Sequence, residues 1–181
     1  LDILAMQETW HENTDSLSLK RTVPPGYSLV EAARENKPSD KLRTNSYGVA
    51  IIYRSGYKAK RVTSLLSCKS MEFICCRLNI GGQGDMIILS VYRPGSKPLT
   101  DEFFSEFTTL FESLATYRCP VIILGDFNIH LERCNDIRTV EFYDLLTSFD
   151  LCQCVTQSTH SKGGTLDVVI VRQCDVIPTH S

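Results

Sequence analysis

The stretch VIILGDFNIHL, at positions 121–131, ends an apolar run with an acid, an amide and an imidazole. Residues 121–124 are aliphatic and typical of a buried strand, whereas Asp126, Asn128 and His130 are polar. A buried carboxylate is costly unless it is paired or binds a cation, so the pattern favours a functional site at this strand end. A capped turn explains the D-x-N pair equally well, because both residue types favour turns. His130 is interpreted as a surface histidine.

Polar residues also follow or interrupt three other apolar segments. Glu8 follows ILAMQ, Tyr92 and Arg93 follow IILSV, and Asp167 lies within TLDVVIV. Taken singly, Glu8 is an ordinary solvated strand end and Tyr92 an ordinary core aromatic. An acid inside an apolar strand is harder to explain, because it needs a partner. We therefore expect Asp167 to take part in a site.

Together these residue types match the needs of phosphodiester hydrolysis. A hard oxygen ligand such as Glu8 binds Mg²⁺, which neutralises charge on the phosphate and on the leaving oxygen. A carboxylate such as Asp126 aligns and activates the attacking water. Amide, phenol and hydroxyl groups such as those of Asn128, Tyr92 and Thr159 fix the phosphate oxygens.

Strands dominate the elements that must position these side chains. Thr100 is a plausible N-cap of a helix that ends by Pro120, and a second apolar stripe predicts a helix over 138–149. The turn GGQGD reads as a hairpin, and residues 31–45 read as a polar surface loop. Strands that mostly lack helical crossovers, followed by alternating helices and strands, predict an α/β sandwich of two sheets with helices outside. The predicted strands are 2–7, 48–53, 60–66, 72–80, 85–92, 120–125 and 165–171.

Composition indicates one globular domain with a net charge close to zero. The 181 residues are 43% hydrophobic with a formal charge of −2, which gives no general attraction to nucleic acid or membrane. The eight cysteines show no C-x-x-C pair, so buried free thiols are expected. No signal peptide or membrane-length apolar run is evident, which predicts an intracellular protein.

Five segments in a fixed order carry a resemblance to a known family: LAMQETW, GVAIIYR, SVYRPGS, ILGDFNIHL and STHSKGGTLDVVI. The chain resembles the endonuclease/exonuclease/phosphatase superfamily, which is DNase I-like. Within it, the chain is most similar to the apurinic-endonuclease-like domain of non-LTR retrotransposons of the long interspersed element type. The resemblance implies a four-layer α/β/β/α sandwich formed as a single domain over 1–181.

The resemblance also implies roles for individual residues. Glu8 would bind Mg²⁺, with Mn²⁺ as an alternative, and Asp126 would orient and deprotonate the attacking water. Asn128 would hold the phosphate or a neighbour of the nucleophile, and Tyr92 would contact the scissile phosphate near the leaving oxygen. Asp167 would be the acid that pairs with a catalytic histidine.

The implied partners are double-stranded DNA and a reverse transcriptase domain on the same parent polypeptide, with no membrane. Thr159 would contact a phosphate of the DNA backbone, with His160 and Arg93 in the same phosphate-binding group. Action on chromosomal DNA would place the protein in the nucleus.

Two features of the family are missing from the chain. The family carries an asparagine on a strand before that of Glu8, and a Ser-Asp-His segment beyond the T-L-D strand. We therefore expect a fragment that lacks both and whose activity is either reduced or lost, because a catalytic histidine contributes roughly 10²–10⁴ in rate. The end of the chain, VIPTHS, places no aspartate before His180, so His180 is not interpreted as the replacement.

Several alternatives remain open at the level of sequence. A phosphomonoesterase of the inositol phosphatase type, or a sphingomyelinase, would use the same Glu and G-D-F-N chemistry, although no W-C-D-R signature is present. A cellular abasic-site repair enzyme is a further variant. A nonenzymatic remnant is the alternative outside enzymes, and Mg²⁺ dependence would separate it from a nuclease. A basic stretch either follows a DNA backbone or forms a solvated strand face; it comprises Arg54, Lys58, Lys60 and Arg61.

Overall fold

Three strands near the start of the chain form a small antiparallel sheet. In the computed structural model, which describes residues 1–11, 16–33 and 48–175, their order is β1-β3-β2. The central strand β3 confirms the strand predicted over 48–53, and it is buried from Val49 to Tyr53. The strands are β1 (Ile3–Gln7), β2 (Tyr27–Ala32) and β3 (Val49–Arg54), with the helix α1 (Leu17–Thr22) between β1 and β2.

A second sheet of six strands carries most of the fold, in the order β4-β5-β6-β7-β9-β8. β6 and β7 are parallel and are joined through the helix α2 (Asp101–Ala115), whereas the other neighbours are antiparallel. The helix α3 (Ile137–Ser148) follows β7. The strands are β4 (Lys58–Arg61), β5 (Glu72–Asn79), β6 (Asp85–Tyr92), β7 (Val121–Asp126), β8 (Leu151–Gln153) and β9 (Asp167–Arg172), with short 3₁₀ turns at Gly81–Gln83 and Gln173–Asp175.

An aromatic core lies between the large sheet and helices α2 and α3. Phe127, directly after β7, contacts Phe107 of α2 with ring centroids 5.2 Å apart and Phe142 of α3 at 5.7 Å. All three rings are fully buried. Aromatic side chains of this size dominate core energetics, so this cluster anchors the end of β7 to both helices.

A separate core joins the two sheets face to face. Ile51 of β3 packs in one cluster with Ile74 and Cys76 of β5 and Ile88 of β6. The described chain therefore stacks a small sheet, a large sheet and a helix layer, which confirms the predicted two-sheet α/β sandwich. None of the helices formed by the described residues is long and apolar enough to cross a membrane.

Two strands were not predicted from the sequence. β2 is mixed in polarity, and Glu31 within it is buried, so the predicted loop at 31–45 begins only after Ala32. Residues 34–45 of that loop lie outside the described part of the chain. β8 has only three residues, too few for periodicity to reveal it.

Some predicted boundaries are also wrong. The strand expected over 60–66 ends at Arg61, because the following chain leaves the sheet. Helix α2 ends at Ala115, well before Pro120, whereas its predicted N-cap at Thr100 is confirmed, although the Thr100 side chain makes no capping hydrogen bond. The hairpin at GGQGD is confirmed, with positive φ at Gly81 and Gly84.

The predicted free thiols are present, but not all are buried. Cys75 and Cys76 lie in the core, where burial raises the pKa of each thiol to about 12 and makes it unreactive. Cys119 and Cys152 are half-buried. Cys154 is exposed, because it follows the short edge strand β8.

Candidate active site

The pairing register of the large sheet brings three predicted site residues into one row. Tyr92 at the end of β6 pairs with Asp126 at the end of β7, and Asp126 pairs with Asp167 at the start of β9. Gly125 permits this arrangement, because a Cβ there would lie 1.9 Å from the Val91 carbonyl oxygen. The row therefore depends on a close approach of backbones that only glycine allows.

Glu8 reaches the same row from the small sheet. It follows β1 directly, and the Tyr92 hydroxyl donates a hydrogen bond to Glu8 Oε1. The preceding residue is also tied to β6, because Gln7 Nε2 donates to Ser90 Oγ at 3.0 Å. Two sheets thus contribute to one group of side chains, with Tyr92 as the link between them.

The acidity of Asp126 is shifted by its surroundings. The pKa of its carboxyl is raised to about 6, mainly by burial and also by the neighbouring Asp167 and Glu8 carboxylates, while the Asn128 N–H opposes the shift. A carboxylate with a pKa near 6 is ionised at neutral pH yet basic enough to accept a proton. Groups with such shifts cluster at functional sites.

Asn128 is held in a defined orientation next to Asp126. Its backbone is left-handed, with φ of 49°, and its N–H donates to Asp126 Oδ1 at 2.9 Å. Its side-chain Nδ2 donates to the Arg93 carbonyl at 2.8 Å. Asparagine tolerates left-handed backbone better than most residues, which explains its place at this sharp turn.

Arg93 lies inside the protein rather than on its surface, at 4% exposure. Its guanidinium donates to the carbonyls of Phe127 at 2.6 Å, Lys97 at 2.8 Å and Asn128 at 2.7 Å. Burial lowers the pKa of Arg93, and the nearby Asp126 carboxylate opposes that shift. This placement differs from the phosphate contact that the resemblance implies, because the side chain is committed to backbone carbonyls. It fixes the loop that carries Asn128.

The loop before β9 is attached to the row through Thr159. Its hydroxyl oxygen accepts hydrogen bonds from the N–H groups of Leu166 at 3.0 Å and Asp167 at 3.1 Å. His160 is exposed, and its Nδ1 accepts from the Lys162 N–H at 3.2 Å. Asp167 is also exposed, because β9 begins there; the expectation of an acid enclosed within the strand is wrong.

The remaining polar candidates lie apart from the row. His130 contacts Glu132 at 2.7 Å and is 44% exposed at its side chain, which agrees with its interpretation as a surface histidine. The basic stretch is divided between the two sheets: Arg54 ends β3 and pairs with Asp2 at 2.7 Å, whereas Lys58 and Lys60 are exposed on β4. His180 lies outside the described residues.

Two glycines contribute to the site that residue-type reasoning did not identify. A Cβ at Gly95 would lie 2.7 Å from Asn128 Oδ1. At Gly125, the Val91 carbonyl leaves no space for any side chain. A glycine inside a strand pattern signals a close backbone approach, so Gly125 carried a readable signal.

The donor set suits a hard divalent cation. The carboxylates of Glu8 and Asp167 are close enough to that of Asp126 to raise its pKa. Across residues 1–11, 16–33 and 48–175, no three His, Cys, Asp or Glu side chains cluster as a self-sufficient metal site. Mg²⁺ usually needs only one or two carboxylates, with waters and substrate phosphates completing its shell. Glu8 is the residue that best fits this role, because its second oxygen is not used by Tyr92 in the hydrogen bond described above.

Comparison with known proteins gives the family and the fold. No curated protein matches the chain in sequence. The human Nocturnin catalytic domain with bound sulfate superimposes with a TM-score of 0.63 and 20% identity, over 95% of this chain and 69% of that one. The mannosyl-6-phosphatase Bt3783 of Bacteroides thetaiotaomicron gives 0.64 and 14%, over 96% and 72%.

TDP2 of D. rerio, in complex with a single-strand DNA product, gives a TM-score of 0.59 and 12% identity, over 94% of this chain and 70% of that one. At these identities the likeness concerns the fold alone. A profile described as "Endonuclease/Exonuclease/phosphatase family" matches residues 1–180. The chain belongs to the endonuclease/exonuclease/phosphatase family.

Proposed function

We propose that the chain is the catalytic part of a Mg²⁺-dependent endonuclease that nicks double-stranded DNA. The nick would serve a retrotransposon by exposing an end that primes a reverse transcriptase domain on the same parent polypeptide. Members of the family hydrolyse phosphodiesters or phosphate esters. The observation that carries the proposal is the convergence of Glu8, Asp126 and Asp167 at the end of β1, the end of β7 and the start of β9, with the pKa of Asp126 raised to about 6.

Four side chains of the site have defined tasks in this proposal. Asp126, ionised above its pKa, accepts the proton of the attacking water. Tyr92 holds the Glu8 carboxylate through its hydroxyl, and Asn128, fixed by Arg93, orients the phosphate. Family members generally use divalent metal ions, and Mg²⁺ or Mn²⁺ at Glu8 would supply charge neutralisation at the phosphate.

The choice of DNA over a small phosphate ester rests on the segments SVYRPGS and STHSKGGTLD. The second of these forms an exposed loop that is anchored to Asp167 through Thr159 and carries His160 and Lys162 beside the site. Such a loop offers phosphate contacts beyond the reacting one, which a polymeric substrate can use and a monoester cannot. Action in the nucleus follows as part of the same proposal.

Relaxation of supercoiled plasmid tests the proposal. We expect the protein to convert supercoiled DNA to open circles in Mg²⁺ and to stop in EDTA. A single nick relaxes a whole circle, so the assay also detects slow cleavage. Asp126→Asn should abolish nicking, because the proton acceptor is lost.

Asp144→Asn is the matched control, because Asp144 is an exposed acid on α3 away from the row. It should nick at the wild-type rate. Salt-dependent DNA binding without Mg²⁺-dependent relaxation would instead support a nonenzymatic remnant, since such binding follows counterion release. Release of phosphate from inositol phosphates without nicking would support a phosphomonoesterase.

A further inference from the structure

A buried polar cluster joins the loop that follows β1 to β2. It lies outside the row of site residues. The Thr9 hydroxyl lies 2.6 Å from His11 Nδ1, and His11 Nε2 lies 3.3 Å from Glu31 Oε2 on β2. His11 is 3% exposed and Glu31 is 7% exposed. Buried histidine and glutamate side chains are costly unless their polar atoms are matched. The contacts therefore link the loop to β2 at one defined geometry.

Gly48, at the entry to β3, closes this cluster from the other side. Its carbonyl accepts the Thr9 N–H at 3.2 Å, and its own N–H donates to Glu72 Oε2 at 2.9 Å. Gly48 has φ of +105°, and a Cβ there would lie 2.6 Å from Thr9 Oγ1 and 2.9 Å from the His11 ring. Only glycine provides both this backbone and this space.

The backbone held by the cluster is strained at two places. Glu8 has φ of 51° and Trp10 has φ of 54°, so left-handed residues flank Thr9 on both sides. Non-glycine residues persist in this region when their surroundings over-determine them, and such strain concentrates at functional sites. The Trp10 side chain is 60% exposed, so burial of that ring does not supply the restraint. The polar contacts of Thr9 do.

We propose that Thr9, His11, Glu31 and Gly48 form a positioning device that aims the Glu8 carboxylate for metal binding. The inference rests on the proposed function, because it concerns the cation that Glu8 would bind. Thr9 is the peptide neighbour of Glu8, so fixing its side chain and its N–H fixes the direction in which the Glu8 side chain leaves the backbone. Tyr92 then restrains the far end of the same side chain.

Mn²⁺ binding to the intact chain, without DNA, tests this device directly. Thr9→Val keeps the shape of the side chain but removes the hydroxyl, and we expect Mn²⁺ affinity to fall about tenfold, as for other residues that orient a metal ligand. Thr9→Ser restores the hydroxyl and should bind within about twofold of wild type. Affinity is measured from the EPR signal of free Mn²⁺ during titration, and thermal unfolding is recorded for each variant.

Thr108→Val is the matched control. The described hydrogen bond of the Thr108 hydroxyl stays within α2, where it donates to the Phe104 carbonyl. It should bind Mn²⁺ like wild type. Glu31→Gln provides a second test of the device should Thr9→Val fail to fold, and it too should weaken Mn²⁺ binding.

Three outcomes would overturn the inference, and they differ in meaning. Wild-type Mn²⁺ affinity in folded Thr9→Val and Glu31→Gln, with binding lost in Glu8→Gln, would leave the proposed function intact and refute the device. A lowered melting temperature with unchanged Mn²⁺ affinity would reduce the cluster to a structural role. No Mn²⁺ binding by wild type would remove both the metal site of the proposed function and the device that serves it.

Discussion

Asp126 lies in an environment that differs from that of an exposed acid. Its carboxyl is partly buried beside Glu8 and Asp167, and burial is the largest cause of its raised pKa. The folded protein therefore holds a proton on Asp126 between about pH 4 and its pKa of about 6, where the unfolded chain has already released it. Folding stability from this group is present at the lower pH and is lost as the pH rises through the folded pKa.

This linkage predicts how Asp126→Asn affects stability in metal-free protein. Asparagine carries no charge, so the variant escapes the loss between about pH 4 and about pH 6 while keeping an acceptor for the Asn128 N–H. The difference in free energy of unfolding, variant minus wild type, should increase across that interval and then level off. Urea unfolding in EDTA at several pH values measures it, and a difference independent of pH would contradict the assigned pKa.

Gly95 offers a test of how precisely Asn128 must be held. In Gly95→Ala the new Cβ would lie 2.7 Å from Asn128 Oδ1, so the amide must move, while Gly95 itself is exposed. We expect nicking to fall by about 10²-fold, the cost of a displacement of about 1 Å at a positioned group, with little change in stability. Gly56→Ala, which places its Cβ in open space, is the control. Equal nicking rates for both variants would show that the Asn128 orientation does not matter.

Elements with a strong period are predictable from the sequence, and the others are not. The apolar stripes of α2 and α3 and the all-apolar core of β3 gave these elements within a few residues. β2 has no clear apolar period, because it contains Glu31. That side chain is buried against His11, and no local sequence pattern reveals such a tertiary contact. The predicted start of α2 is confirmed, since Thr100 is its N-cap residue, although the Thr100 hydroxyl makes no capping hydrogen bond.

The N-caps of α2 and α3 are expected to contribute differently to stability. Asp136 caps α3, since its Oδ1 accepts from Arg138 N at 2.9 Å and Thr139 N at 3.3 Å, whereas Thr100 makes no such bond to α2. Asp136→Ala should lower the free energy of unfolding by about 1 kcal/mol. Thr100→Ala should cost less than about 0.5 kcal/mol. Chemical denaturation of both variants measures these free energies of unfolding. Equal losses of stability in the two variants would refute the difference in capping.

At the scale of the molecule, the site exists because two sheets pack against each other. Glu8 comes from the small sheet, and Asp126 and Asp167 come from the large one, so the packing of Ile51 against Ile88 helps set their separation. The residue types of the site could be predicted from motifs, because strand ends present polar groups that the core does not need. The inward turn of Arg93 and the contacts of Gly95 could not, because they depend on how distant loops meet.

The most direct test of the central claim compares cleavage of a DNA phosphodiester with hydrolysis of a phosphate monoester by the same protein. Supercoiled plasmid and an inositol phosphate mixture are incubated with wild type and with Glu8→Gln, each in Mg²⁺ and in EDTA, and open circles and free phosphate are measured. The account predicts open circles from wild type in Mg²⁺ alone, with no phosphate release. Phosphate release beside an intact plasmid, lost in Glu8→Gln, would contradict the endonuclease and assign the same site to a phosphomonoesterase.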